Sequence, residues 1–273
     1  MKLSCVATTA IAITILSATP VLSQEANYGY NVIPRIPTNC SDIRIFSARG
    51  SNEPYPGRAG AMLAVMCQMF ESADGDLSCD YEDITFPANQ TSSGVYCQSA
   101  HTGTVNGRAQ MADYIERCPD SRLVLLGYSQ GAGIVTDILG GGGGDLFGCH
   151  QEENPSMPRK TAPGSSVVAA VTFGSTRFTA NQSYNIGPGS TFNGILPSAG
   201  KKLADLNAYE DILASWCNAG DPICAIGSLP VNVTAHWSYY DEYTYEASRW
   251  VVRTALGYTD DQLNRARRGH HHQ

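Results

Sequence analysis

Apolar and polar positions alternate along the chain in two periods, one of strands and one of helices. "DIRIFSARG" (42–50) is an apolar alternation closed by glycine, which predicts a strand running into a loop. "GRAGAMLAVMCQMFESA" then sets Met62, Val65, Met66 and Met69 on one face at helical spacing, read as core packing rather than a ligand box. "DYEDITFPA" predicts a second strand stopped by Pro87, and "VNGRAQMADYIERC" a helix ended at Cys118-Pro119. "SRLVLLGYS" is almost continuously apolar, the pattern of a parallel strand covered on both faces, and "QGAGIVTDIL" turns helical after it. "SSVVAAVTFG" repeats the buried-strand pattern, "AYEDILASWCNAGDPIC" holds a last strand with its exit loop, and "EASRWVVRTALGY" closes as an amphipathic helix. With no linker and no internal repeat, this alternation predicts one α/β domain: a three-layer α/β/α sandwich with a mostly parallel central sheet.

Other stretches break the pattern. The first 23 residues carry one lysine, an interrupted apolar run and small residues before a cut after Ser23, which predicts a secretory signal peptide rather than a membrane span. Residues 24–39 read as an irregular lead-in. Five consecutive glycines at 140–144 carry a high entropic cost in any regular element, so 140–165 read as a long loop or insertion, and 181–200 as loop. The basic, histidine-rich end, 261–273, reads as a disordered tail, which leaves 40–260 as the domain.

Composition narrows the classes. Apolar residues make up 42% of the chain, ample for a core, while charged residues make up only 16%. A net charge of −7 argues against a nucleic-acid partner, since phosphate neutralisation needs clustered Lys and Arg. Removing the signal removes Cys5 and leaves Cys40, Cys67, Cys79, Cys97, Cys118, Cys149, Cys217 and Cys224. An even count in a secreted chain favours disulfides over zinc, because no CxxC pair exists and the histidines are few and scattered. Sequons at Asn39, Asn89, Asn181 and Asn232 fit a secreted surface as a set.

Candidate chemistry centres on "LVLLGYSQGAG" (123–133). Gly127, Tyr128, Ser129, Gln130 and Gly131 form G-x-S-x-G between a predicted strand and a predicted helix, the context of a nucleophile elbow; the alternative is a plain strand-to-helix turn. A serine hydroxyl needs a base, and in this arrangement acid and histidine follow the serine in chain order. His150 sits in the glycine-rich insertion and His270–His272 in the tail, which leaves His236 in "VNVTAHWSYY". Asp205 and Asp211 read as solvated, whereas Asp221 stands in "CNAGDPIC" between Cys217 and Cys224. A pairing of those two cysteines would staple the loop that presents the carboxylate. Oxyanion donors are expected from the Gln130 N–H and from Ser51 in "ARGSNEPYPG". Pro54, Tyr55, Pro56, Leu229, Pro230, Val231 and Trp237 flank these segments as a candidate apolar rim, with local packing as the alternative.

These residues resemble the cutinases and their relatives, the fungal acetylxylan esterases. "ARGSNE" resembles the cutinase oxyanion loop, "CPDSRLVLLGYSQGAG" its nucleophile segment, and "CNAGDPICAIGSL…AH" its Asp and His segment, over about Cys40 to Tyr258. The resemblance implies Ser129 as nucleophile, Asp221 as acid, His236 as base, Ser51 with Gln130 as oxyanion hole, and disulfides Cys40–Cys118 and Cys217–Cys224. By position, Cys67 then pairs with Cys79 and Cys97 with Cys149. The extra cysteines and inserted loops depart from small cutinases, and the glycine run looks more like acetylxylan esterases. The expected function is ester hydrolysis on an extracellular polymer, cutin-like polyester or alternatively acetylated xylan, by a monomer with no metal, cofactor or membrane partner. From another class, an inactive cell-wall-binding module would be expected to have lost one of the three site residues, and this chain keeps all of them.

Overall fold

The computed structural model describes residues 33–75, 77–89, 95–146 and 148–269; the expected signal peptide and most of the lead-in lie outside them. Strand β1 (Ile43–Ala48) is followed by helix α1 (Gly60–Ala73), β2 (Cys79–Asp83), α2 (Tyr96–Arg117), β3 (Arg122–Tyr128) and α3 (Gln130–Gly140). A short pair, β4 (Gly142–Leu146) and β5 (Cys149–Asn154), precedes β6 (Val167–Phe173), β7 (Asn185–Ile186), α4 (Gly200–Asn207) and β8 (Leu213–Trp216). The chain closes with α5 (Val233–Trp237), α6 (Tyr239–Leu256) and α7 (Asp260–Gly269). Six strands form one sheet in the order β2-β1-β3-β6-β8-β7, and every adjacent pair is parallel. The expected α/β sandwich is thus what the chain adopts.

Side-chain alternation along the strands divides the core between the two faces. Ile43, Ile45, Val124 and Leu126 pack with Met62, Met66, Met69 and Phe70 of α1 and with Val251 of α6. Phe46, Leu123 and Leu125 point the other way, onto Met111 and Tyr114 of α2 and Ile134 and Ile138 of α3. Full burial of each such side chain stabilises the fold by about 1.5–3 kcal/mol. The central strands are covered on both sides, so their carboxyl ends are fixed platforms for the loops that follow.

Four expectations are corrected. Helix α2 begins at Tyr96, ahead of its apolar-periodic part, because its inner face there is made of small residues. A Cβ on Gly103 would lie 2.4 Å from Ile134 Cδ1, and one on Gly107 would lie 2.7 Å from Ile138 Cδ1, so the glycines permit close approach to α3.

The glycine run is not all loop. Gly140 ends α3, and Gly142–Leu146 pairs antiparallel with Cys149–Asn154 as a hairpin. Gly143 and Gly144 take φ of +116° and +111°, which favours glycine, and a Cβ on Gly142 would strike the Asp137 carboxylate. Tertiary bonds offset the entropic cost. Arg177 Nη1 donates to Gly143 O at 3.1 Å while its Nε sits 2.7 Å from Asp137, and Cys97–Cys149 ties the hairpin to α2. In the loop expected over 181–200, Asn185–Ile186 adds a two-residue edge strand.

The expected disordered tail is helical through Gly269. Leu263 is buried in the α1–α6 core, and Arg249 and Arg253 hold Asp260 at 2.8 and 2.9 Å. Of that tail, His270–Gln273 lie outside the described residues. All four expected disulfides are present: Cys40–Cys118, Cys67–Cys79, Cys97–Cys149 and Cys217–Cys224. The sequon asparagines Asn39, Asn89, Asn181 and Asn232 are all exposed.

Candidate active site

Ser129 stands between the end of β3 and the start of α3 with φ 54° and ψ −117°. A non-glycine residue held at positive φ costs of order 1–3 kcal/mol and persists only where its surroundings over-determine it. Here its N–H donates to Phe173 O of β6 at 2.9 Å, and its carbonyl accepts from Gly133 N at 3.1 Å. The flanking glycines are steric requirements. A Cβ on Gly127 would lie 2.5 Å from Gly131 O, and one on Gly131 would lie 2.0 Å from Ala48 O. The spacing read from the sequence therefore has a direct cause in how helix, turn and neighbouring strand approach one another.

The histidine and the aspartate arrive from β8 and the segment beyond it. His236 Nε2 lies 3.0 Å from Ser129 Oγ, and His236 Nδ1 lies 2.8 Å from Asp221 Oδ2. Asp221 is 0% exposed, in the loop closed by Cys217–Cys224, and its Oδ1 accepts from the N–H of Ile223 at 2.7 Å and of Cys224 at 3.3 Å. Burial pushes its carboxyl up, but His236, the Tyr239 hydroxyl and the Ile223 N–H outweigh that and hold it below the ordinary carboxylate range. It therefore stays ionised beside the imidazole.

The expected oxyanion donors lie close by. Gln130 opens α3, so its backbone N–H has no partner within the helix. Its side chain is occupied elsewhere: Nε2 donates to Asn89 O at 3.2 Å, and Oε1 accepts from Ser99 Oγ at 3.3 Å. Ser51 lines the same cavity as Ser129 and His236, a space of about 630 Å³. Its loop is held by Arg49, whose guanidinium lies 3.6 Å over the Tyr55 ring and donates to Glu53 O at 2.6 Å and Phe86 O at 2.9 Å.

Of the candidate rim residues, Pro54 and Trp237 line the cavity, while Leu229, Pro230 and Val231 are exposed. Tyr55 and Pro56 follow the other reading, local packing: both are buried, and the Tyr55 hydroxyl donates to Phe86 O at 3.0 Å. The rejected candidates stay apart from the site. His150 pairs with Asp145 on the exposed hairpin, and Asp205 pairs with Lys201.

Sequence reasoning missed several groups. The Tyr128 ring stacks on His236 at 5.2 Å, and its hydroxyl donates to His236 O at 2.9 Å. Glu53 and Arg58 form an ion pair at 3.2 Å in the cavity wall, and Arg58 Nη1 donates to Trp237 O at 3.1 Å, bridging the two loops. Tyr96 and Thr176 also line the cavity, 3.5 Å apart through their hydroxyls; burial pushes the Tyr96 phenol up to about 12, so it stays neutral. The one local signal for any of these was position: Tyr128 occupies the first variable place of G-x-S-x-G.

The arrangement is close to known proteins. The family model for cutinase matches residues 39–255. The chain is 31% identical over 236 residues to an acetylxylan esterase of Hypocrea jecorina, covering 82% of this chain and 69% of that protein. It is 29% identical over 223 residues to Cutinase 11 of Verticillium dahliae, covering 80% and 70%. The solved catalytic core domain of acetyl xylan esterase from Trichoderma reesei superposes with a TM-score of 0.66 at 26% identity, over 79% of this chain and 100% of that one. The family match takes in the elbow, the stapled loop and His236 together, so the chain belongs to the cutinase family of ester hydrolases.

Proposed function

We propose that this protein is a secreted serine esterase that cleaves ester bonds on extracellular polymers, cutin-like polyester first, through an acyl-enzyme on Ser129. The observation that carries the reading is the unbroken relay from Ser129 Oγ to His236 Nε2 at 3.0 Å and from His236 Nδ1 to Asp221 at 2.8 Å. Ser129 Oγ attacks the ester carbonyl carbon while His236 takes the hydroxyl proton. The carbonyl oxygen, now an anion, rests on donors from Gln130 and Ser51, each contributing about 2.7–4 kcal/mol. Collapse of the tetrahedral species expels the alcohol, which leaves with the proton from His236. Water activated by the same imidazole then releases the acid. Asp221, held below the ordinary carboxylate range, stays ionised and stabilises the imidazolium that forms as His236 takes the proton.

The polyester reading is supported by apolar side chains left in solvent on the segment that carries His236: Leu229 is 83% exposed, Val231 61% and Trp237, which lines the cavity, 51%. A second reading, removal of acetyl groups from xylan, is supported by relatives named acetylxylan esterase. Secretion is supported by four disulfides, which persist in oxidising compartments. The test is a series of nitrophenyl esters of increasing acyl length, with acetylated xylan and a polyester film, run on the parent and on Ser129→Ala. Preference for butyrate or longer is expected, with kcat lost by about 10⁴ or more in the variant. Steep decline beyond acetate transfers the assignment to xylan, and undiminished hydrolysis by Ser129→Ala removes the nucleophile.

A further inference from the structure

Asp221 accepts a fourth hydrogen bond. Besides the Ile223 and Cys224 N–H groups on Oδ1 and His236 Nδ1 on Oδ2, Tyr239 Oη lies 2.6 Å from that same Oδ2. The direction of this bond follows from the tyrosine's other partner. Asn218 N–H donates to the phenol oxygen at 2.9 Å, which engages a lone pair and leaves the phenolic proton for an acceptor. Two acceptors stand in reach, Asp221 Oδ2 and, at 3.3 Å, Cys224 Sγ. The ionised carboxylate is much the stronger. Burial and the neighbouring carboxylate both push the phenol up, so it stays protonated. Tyr239 and Asp221 are both fully buried, and Tyr239 does not line the cavity.

We infer that Tyr239 is a positioning residue for the ester-hydrolysis site: its hydroxyl holds Asp221 Oδ2 toward His236 Nδ1 and draws off part of the carboxylate's charge, setting both the orientation and the basicity of the imidazole. The inference rests on the esterase reading above. The backbone reinforces it, because Ser238 joins α5 to α6 and so one turn places both His236 and Tyr239. The Tyr239 ring also packs edge-on to the imidazole at 6.3 Å. Other titratable or charged groups stand around His236. Tyr128 stacks on it, Glu53 and Arg58 stand in the cavity wall, and Glu242 of α6 reaches Asn218. Among the described residues Tyr239 is the side chain that shares with His236 the oxygen on which the imidazole leans.

Two effects of Tyr239→Phe follow with known sign. Loss of orientation lowers kcat by about 10-fold, the rate equivalent of one hydrogen bond to a charged group, with KM within about twofold because substrate does not touch the residue. Loss of the donor returns negative charge to Oδ2 and favours the imidazolium, so the acid limb of kcat/KM moves up by about half a pH unit. A residue that merely supports the fold would lower activity without moving the limb.

Because phenylalanine leaves the Asn218 N–H unpaired, a second variant with 3,5-difluorotyrosine at 239 keeps both hydrogen bonds and donates more strongly. It should move the limb down. The same midpoints, read by NMR titration of His236 in a Ser129→Ala background, need no turnover, so they decide the inference even if the esterase reading fails. Midpoints moving up with phenylalanine and down with difluorotyrosine, with the fall in kcat, are the expected result. Midpoints that stay put or move together, or a kcat within twofold of the parent, overturn it.

Discussion

At the floor of the site, behind His236, Asp221 is fully buried and takes four hydrogen bonds, while further along the same loop Leu229 stands 83% exposed. Both belong to the segment that leads from β8 to His236. The difference teaches how one loop can serve two demands. Reacting atoms must be held to a fraction of an ångström, which takes burial and more bonds than the minimum. Under the polyester proposal, a polymer surface instead needs apolar area left uncovered. Substitutions at the floor should therefore act on kcat, and those at the rim on engagement of the polymer.

The largest effect expected is at the floor. Asp221→Asn should lower kcat by about 10⁴ with KM within a few-fold, measured on a soluble nitrophenyl ester. An equal loss in kcat and gain in KM would make Asp221 part of the binding surface and erase the contrast. Next comes the anchor of the β4–β5 hairpin. Asp137→Ala strands the buried Arg177 guanidinium and should cost about 3–5 kcal/mol in urea unfolding, with kcat of the folded protein within a few-fold. A stability change under 1 kcal/mol would mean the hairpin stands without the ion pair.

At the rim, Leu229→Ser with Val231→Ser should slow hydrolysis of a polyester film by about 5-fold. Stability should stay within about 0.5 kcal/mol, and turnover of a soluble ester within about twofold. Equal losses on film and soluble ester would place these residues in catalysis rather than on the surface.

The smallest effect isolates what four donors do for a carboxylate. Asp83 is also buried but accepts from Arg35 N, and burial outweighs that bond and nearby arginines, so its carboxyl is pushed up to about 6 from 3.8. Its folded form therefore binds a proton more tightly than the unfolded chain, and its contribution to stability is lost as pH rises from about 3.8 through about 6. Asp83→Asn should raise Tm modestly at pH 7–8, and the gain should vanish by about pH 4. A gain independent of pH would assign the effect to packing.

Much of the fold was legible because its signals are local. The β3 run is apolar throughout because the strand is covered on both faces, and α1 carries its methionines at helical spacing because one side meets the sheet. Gly127 and Gly131 are legible for a steric reason that holds wherever an elbow forms. The start of α2 and the β4–β5 hairpin were not legible, because small residues and glycines carry no apolar period. What orders them is contact: Ile134 against Gly103, and Arg177 on Gly143 O. The final helix was not legible either, since its buried anchor Leu263 looks like any other leucine in a charged stretch.

The site divides along the same line. Chain order singled out Ser129, Asp221 and His236, because each needed a particular residue type in a particular local setting. Tyr239, Tyr96 and the Arg58 bridge have no such setting, for a tyrosine near a histidine is ordinary until a carboxylate and an amide lie within 3 Å of its hydroxyl. By itself the sequence determined the elements, the elbow and the chemical types available. Only the tertiary structure decided which distant side chains share a hydrogen bond, because such bonds reach about 3 Å while the residues that make them lie far apart along the chain.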